Sequence, residues 1–213
     1  QAGSSTRQQM QRTGPRVRIL RRFGTQLPGL SRKDASRRPT PPGQHGAARK
    51  RRKESEYRRL LMEKQKVRFN YGVTERQMRN ILEIAQRMPG RTGDNVLTLL
   101  ERRLDNIVFR LGFAATIPAA RQLVSHGHVL VNGKRLDRPS ARLGSGDVVT
   151  LKPGAREIPT VLAQVEKGPE VRLPSFLALD LDDKFSGRVL GDPMPHDVPF
   201  PINANAIVEY YAR

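Results

Sequence analysis

The stretch RLDNIVFRLGFAATIPAARQLVSHGHVLVNGKRL, residues Arg103–Leu136, decides the fold. Its first part continues a helical repeat that begins at about Asp94. Val96, Leu97, Leu100, Leu104, Ile107, Val108 and Leu111 recur at the three- and four-residue spacing of one buried stripe. Gly112 stops that helix. Thr116 can cap a short second helix through Pro118, Ala119, Leu123 and Val124 to Gly127, because proline is tolerated in a first turn. His128–Val131, Asn132–Gly133 and Lys134–Leu136 then read as a hairpin, since Asn-Gly supplies the two positive φ angles of a type I′ turn. A further strand is expected at Asp147–Leu151, after the Gly144–Gly146 turn. Residues 94–151 therefore predict two helices packed on a small sheet.

Upstream, Thr74 with Gln77 three positions on forms a capping box, followed by Met78, Ile81, Leu82, Ala85 and Met88 at helical spacing until Pro89–Gly90. Before it, periodicity starts at about Glu54. Tyr57, Leu61 and Met62 are expected on one side, with Arg58, Arg59, Lys64, Lys66 and Arg68 on the rest. The segment PTPPGQHGAARKRRK, residues Pro39–Lys53, joins a Pro/Gly turn cluster holding Gln44 and His45 to the basic run Arg49, Lys50, Arg51, Arg52 and Lys53. Gly14–Gly24 alternates Arg16, Arg18, Arg21 and Arg22 with Val17, Ile19 and Leu20. Residues 1–13 carry no acid and read as a flexible arm. At the other end, residues 152–213 read as irregular and proline-rich, closing on a strand-like Ala206–Tyr211.

The 213 residues carry a net charge of +19, unevenly placed. Residues 1–68 hold 20 Lys+Arg against 4 Asp+Glu, a net of +16. Residues 69–150 hold 12 against 7, a net of +5, and residues 151–213 hold 7 against 9, a net of −2. Only 37% of residues are hydrophobic, below the roughly 45–50% of ordinary globular chains. Self-repulsion in so basic a segment calls for a polyanionic partner. There is no Cys, which removes disulfides, thiol nucleophiles and thiolate metal sites together. No apolar run approaches the roughly 18 residues of a membrane span, so no membrane partner is expected.

Catalytic patterns are missing from the sequence. No G-x-x-x-x-G-K-[ST] phosphate loop occurs. His45, His126, His128 and His196 lack carboxylate or Cys companions at metal-ligand spacing, so neither a metal nor a cofactor is expected. Asp182–Asp183 reads as solvated surface. Nucleic-acid donors are better represented. Arg103 and Arg110, seven apart, share a helix face; Arg121 and Gln122 follow on the next helix, with Ser125, His126 and His128 at its end, and Asn132, Lys134 and Arg135 on the hairpin. Together they predict a bent row of donors. Folded RNA suits such a row better than duplex DNA, because no helix carries Asn or Gln along its length for reading bases. Arg103→Ala and Arg121→Ala are each expected to weaken RNA binding and lower the salt slope by about one contact.

Arg103–Leu136 closely resembles the S4-type RNA-binding module. GPRVRILRRFG, PPGQHG, EKQKVRFNYGVTERQ, PSARLGSGDVVTL and the closing IVEYYAR, in that order, resemble the ribosomal protein S4 (uS4) family of the small subunit, in its bacterial form. The resemblance covers residues 14–151 and 171–213. It implies an α+β chain: a flexible arm (1–13), a basic, mainly helical N-terminal domain (14–93) completed by 171–213, an inserted S4 module (94–152), and a linker (153–170). It also implies binding to the five-helix junction of the 5′ domain of small-subunit ribosomal RNA early in assembly. Contact with ribosomal protein S5 and other small-subunit proteins, a place near where mRNA enters, and a role in accuracy are implied as well.

The RNA contacts that the resemblance carries over are Arg103, Arg110, Arg121, Gln122, Ser125, His126, His128, Asn132, Lys134 and Arg135. In the N-terminal basic segments it adds Arg16, Arg18, Arg21, Arg22, Lys33, Gln44, His45, Arg49, Lys50, Arg51, Arg52, Lys53, Arg58, Lys64, Lys66, Arg68 and Tyr71. The Cys-rich zinc site of some members is missing here. GPRVRILRRFGTQLPGLSRK resembles the cyanobacterial and plastid form, which with the acid-free, Met-less start points to a protein of the plastid (chloroplast) stroma and leaves the bacterial cytoplasm or another organelle as the alternative. Pseudouridine synthases also carry S4 modules, with a catalytic Asp in an R-L-D motif. Arg103-Leu104-Asp105 and Arg135-Leu136-Asp137 match those letters, but neither is followed by T-S-G. A non-ribosomal RNA-binding factor with the same module is a third class.

Overall fold

The computed structural model describes residues 15–35, 40–43, 46 and 55–213. The predicted arm at 1–13 lies outside the described residues, as do Gln44, His45, Arg49, Lys50, Arg51, Arg52 and Lys53.

Helix α1 (Arg16–Phe23) ends at Gly24, whose φ of +61° lets its N–H turn back to the Leu20 carbonyl. Helix α2 (Glu56–Tyr71) starts at Ser55, whose hydroxyl accepts from the Arg58 N–H. Helix α3 (Glu75–Arg87) carries the expected capping box: Thr74 Oγ1 accepts from Gln77 N at 3.2 Å, and Gln77 Oε1 accepts from Thr74 N at 2.9 Å. The buried side of α2 is Leu60, Lys64, Val67, Asn70 and Tyr71, rotated from the side that Tyr57, Leu61 and Met62 define. Tyr57 is exposed because its ring leans on Tyr210 of the C-terminal segment, centroids 5.8 Å apart, rather than on the core.

The long helix expected from Asp94 to Leu111 is two, α4 (Thr92–Glu101) and α5 (Leu104–Arg110). Every residue of the predicted stripe is nevertheless buried. The break falls at Arg102–Arg103 because a loop docks there. Leu104 N donates to Ala141 O, Asp105 N to Pro139 O, and Leu143 N to Arg102 O. Backbone groups that would have closed helical turns pair with this loop instead. Helix α6 (Ile117–Ser125) is capped by Thr116 as expected, with Pro118 in its first turn.

Strands β1 (Val129–Val131) and β2 (Lys134–Arg135) form the hairpin, with Asn132 at φ +50° and Gly133 at φ +76°. Strand β3 (Val148–Leu151) pairs with β1, Leu130 facing Thr150. Two further strands come from the C-terminal segment: β4 (Leu177–Leu179) and β5 (Ser186–Val189). The sheet is antiparallel, in the order β2-β1-β3-β5-β4, with Val149 opposite Gly187. Part of residues 171–213 therefore completes the module's sheet. The rest of that segment turns to the helical part: Thr98 Oγ1 donates to the Pro193 carbonyl at 3.2 Å, the Phe200 ring lies 6.2 Å from that of Tyr71, and the last helix, α9 (Ala204–Ala212), docks on α2 and α4.

Two expectations are corrected here. The start of the stretch read as irregular forms helices α7 (Pro153–Arg156) and α8 (Pro159–Lys167), with Pro153 and Pro159 at their first positions, where no N–H is missed. Ala206–Tyr211 is helical. Asn203 caps it by accepting from Ala206 N, and Ala206 and Ile207 are its buried side. One apolar cluster runs from Leu20 through the sheet to Ile207, so helical part and sheet share a core.

Candidate nucleic-acid interface

The predicted row of donors divides in two. At the end of α6, Gln122, Ser125 and His126 are exposed and His128 is half-buried, its ring 6.1 Å from that of His126. Lys134 and Arg135 project from β2; Arg135 has a loose, solvent-exposed pairing with Asp137 at 3.6 Å. The Arg135 guanidinium lies over Gly127, where a Cβ would come within 2.4 Å of its Nε. Gly127, at φ +73°, serves both the helix end and this approach. Asn132 is committed elsewhere: its side chain donates to Asp147 Oδ1 at 2.8 Å and accepts from Val148 N at 2.9 Å, pinning the hairpin to β3.

Arg103 and Arg110 are not on a free face, which corrects their expected place in the row. Arg110 is 1% exposed. Its Nε and Nη2 each lie 3.1 Å from Glu101 Oε2, and Nη2 also donates to the Asp197 carbonyl. Arg103 grips Asp105 with two bonds of 3.1 and 3.0 Å in the interior. Asp105 is fully buried and also takes Arg121, through bonds of 3.2 and 2.7 Å to Oδ2. Tyr71 is buried as well, donating its hydroxyl to Glu101 Oε1. Burial, then the neighbouring Glu101 charge, pushes that hydroxyl well above the ordinary tyrosine range. Two carboxylates set among apolar helices draw these side chains inward, because an unpaired buried charge would cost far more than an exposed pair returns.

On α2, Lys64 is likewise corrected. It is buried, 2.9 Å from Glu75 Oε2 and 4.7 Å over the Tyr210 ring. Lys66 is held by Glu63 at 2.6 Å, and Arg68 reaches Glu75 at 3.9 Å. Burial alone would raise the Glu75 carboxyl. Hydrogen bonds from Lys64 and Tyr211, with the charges of Lys64 and Arg68, hold it below the usual carboxylate range instead.

The outer surface of the helical part is different. Arg16, Arg18 and Arg22 of α1 are exposed, as are Lys33 and Arg58. Arg21 ties α1 to the proline turn through its Nε to the Thr40 carbonyl at 3.0 Å. Pro15, Arg18, Ile19, Arg22, Pro41, Pro42 and Arg58 line an open groove of about 580 Å³. Three guanidiniums around an apolar floor suit a phosphate chain.

Residues 11–101 match the family described as "Ribosomal protein S4/S9 N-terminal domain", and residues 102–149 match the S4 domain. The small ribosomal subunit protein uS4B of Nitrosomonas europaea is 52% identical over 201 residues, 94% of this chain and 97% of that protein. The uS4 proteins of Methylobacillus flagellatus and Thermosynechococcus vestitus are 48% and 50% identical, each covering 94% of the chain. The chain belongs to the uS4 family.

That family is one of structural ribosomal proteins and not of enzymes. The two matched stretches of this uS4 chain meet between Glu101 and Arg102, at the break between α4 and α5. Among the described residues no three His, Cys, Asp or Glu side chains gather as a metal site, and no helix is long and apolar enough to cross a membrane. Sequence reasoning missed one basic face. Arg76, Arg79 and Arg87 of α3 and Arg91 before α4 are exposed, with no ion pair among the described residues. Their signal was the complement of the Met78–Ile81–Leu82–Ala85 stripe: positions outside the stripe on a capped helix must face outward.

Proposed function

We propose that this chain is a structural component of the small ribosomal subunit and holds ribosomal RNA between two basic surfaces. One is the end of α6 with the β1–β2 hairpin, where Gln122, Ser125, His126, His128, Lys134 and Arg135 face outward. The other is the helical part, with the α1 groove and the α3 arginines. The observation that carries this reading is the sorting of charge: buried arginines are matched by Glu101 and Asp105, while those of α3 stand exposed without a carboxylate partner among the described residues. A surface kept cationic suits a polyanion.

Family membership supports the finer reading. The RNA is the five-helix junction of the 5′ domain, bound early in assembly; the neighbours include ribosomal protein S5, near where mRNA enters, with an effect on accuracy. The plastid stroma remains the preferred setting on the sequence resemblance, and relatives from T. vestitus and N. europaea at 50% and 52% weigh about equally on it. An enzyme of the R-L-D type has no support: the family is not one of enzymes, Asp105 is fully buried and held by two arginines, and Asp137 is an exposed carboxylate loosely paired with Arg135.

Salt-titrated binding to the folded junction, with duplex DNA and unstructured RNA of equal length as competitors, tests the reading. Strong preference for the junction at moderate salt is the expected result. Equal binding to all three, lost together as salt rises, would reduce the protein to a generic polyanion binder.

A further inference from the structure

We propose that Arg121 is a positioning residue, clamping the C-terminal end of α2 to the S4 module so that the two basic surfaces keep one spacing. Its RNA consequence rests on the function proposed above; the clamp itself does not. The guanidinium donates four hydrogen bonds inside the protein: Nε and Nη2 to Asp105 Oδ2, Nη1 to the Gly72 carbonyl at 2.8 Å, and Nη2 to the Tyr71 carbonyl at 3.2 Å. Asp105 and Arg121 belong to the stretch matched by the S4 domain, and Tyr71 and Gly72 to the stretch matched by the N-terminal domain.

Charge explains why an arginine is needed. Asp105 is already neutralised by Arg103, so Arg121 brings a surplus positive charge to a buried carboxylate. The C-terminal end of α2, a helix of 16 residues, supplies the negative complement through carbonyls that have no partner within the helix. A planar fork can meet a carboxylate on one edge and two carbonyls on the other, whereas an ammonium cannot span both. Beside it, the Tyr71 hydroxyl, Asn106 and Arg110 converge on Glu101, the two α5 side chains reaching it across the helix break. The clamp thus has a rigid seat. A guanidinium with this many internal bonds has little donor capacity left for phosphate.

Two linked binding surfaces gain affinity from a fixed spacing, because the second engagement is intramolecular. Loosening the clamp weakens a ligand that touches both surfaces and spares one that touches a single surface. The chain has no cysteine, so thiols introduced by Glu83→Cys on α3 and Ser140→Cys in the module loop, both exposed, would be the only ones. Spin labels there report the spacing by electron–electron double resonance in the free 213-residue chain. A single narrow distance is expected with Arg121, a broadened one in Arg121→Ala, and a partly narrowed one in Arg121→Lys. In the same proteins, affinity for the folded junction RNA falls by about tenfold or more in Arg121→Ala, while affinity for a duplex of about ten base pairs stays the same.

An unchanged distance distribution overturns the clamp. Equal losses on both RNAs, with a salt slope lowered by about one, overturn it in favour of a direct phosphate contact. A broadened distance with undiminished junction binding overturns the link between spacing and RNA. If the alanine variant loses its helical circular dichroism, Arg121→Lys carries the same comparison. Wild-type protein that shows no preference for the junction would fail the RNA-binding reading alone, because the distance arm needs no RNA.

Discussion

Arginine residues in this chain do two kinds of work, and burial separates them. Removing Arg110 would leave Glu101 charged in the interior with only Tyr71 and Asn106 for partners. Arg110→Ala is expected to cost about 3–5 kcal/mol of stability by denaturant titration, with no direct change in RNA salt slope. Lys134→Ala should do the reverse, leaving stability unchanged and lowering the slope by about 0.7–0.9. Glu75 adds a pH test. Its carboxyl is held below the usual range, so its ionised form stabilises the fold above the unfolded value, and that contribution is lost as pH falls through the folded value. Glu75→Gln is therefore expected to be less stable than wild type at pH 7 and to lose less stability between about pH 5 and pH 3 in thermal melts. The sequence made this division hard to see. Arg103 and Arg110 are seven apart and read as one outer face of a continuous helix, and only the docked 139–143 loop breaks that helix and turns both inward. Glu101 and Asp105, acids within an apolar stretch, were the available sign of internal pairing.

Elements with local instructions were legible, and those set by distant contacts were not. The capping box at Thr74, the Thr116 cap and the Asn132–Gly133 turn each involve neighbouring residues, and each forms where it was expected. Ala206–Tyr211 has strand-favouring composition, yet packing against α2 and α4 makes it helical. The join between the start of α6 and the end of α2 is another long-range feature. Gly29 N donates to Asn70 Oδ1 at 3.0 Å, and Ile117 N donates to Gly29 O at 2.8 Å. A Cβ at Gly29 would stand 2.6 Å from Ile117 Cδ1 and 2.7 Å from the Asn70 carbonyl oxygen. The side chain could swing away, but the carbonyl belongs to α2 and cannot. Gly29→Ala is expected to cost about 1–3 kcal/mol, read as a lowered melting temperature.

Across the described residues, charge is sorted so that interior arginines are paired while the surface stays cationic. The single apolar cluster and the buried ion pairs hold α1 to α9 and the sheet together. The α3 face contributes nothing to that cluster through its arginines, so its charge can be removed without touching the core. Replacing Arg76, Arg79, Arg87 and Arg91 together with Gln keeps helix-compatible side chains and takes away four positive charges. If each contacts one phosphate, the salt slope for the folded junction RNA should fall by about three, at roughly 0.7–0.9 per contact, with the melting temperature unchanged. A smaller drop counts the contacts that are made. No drop at all would confine RNA binding to the hairpin surface and the α1 groove, and α3 would then face solvent or another protein in the assembled particle.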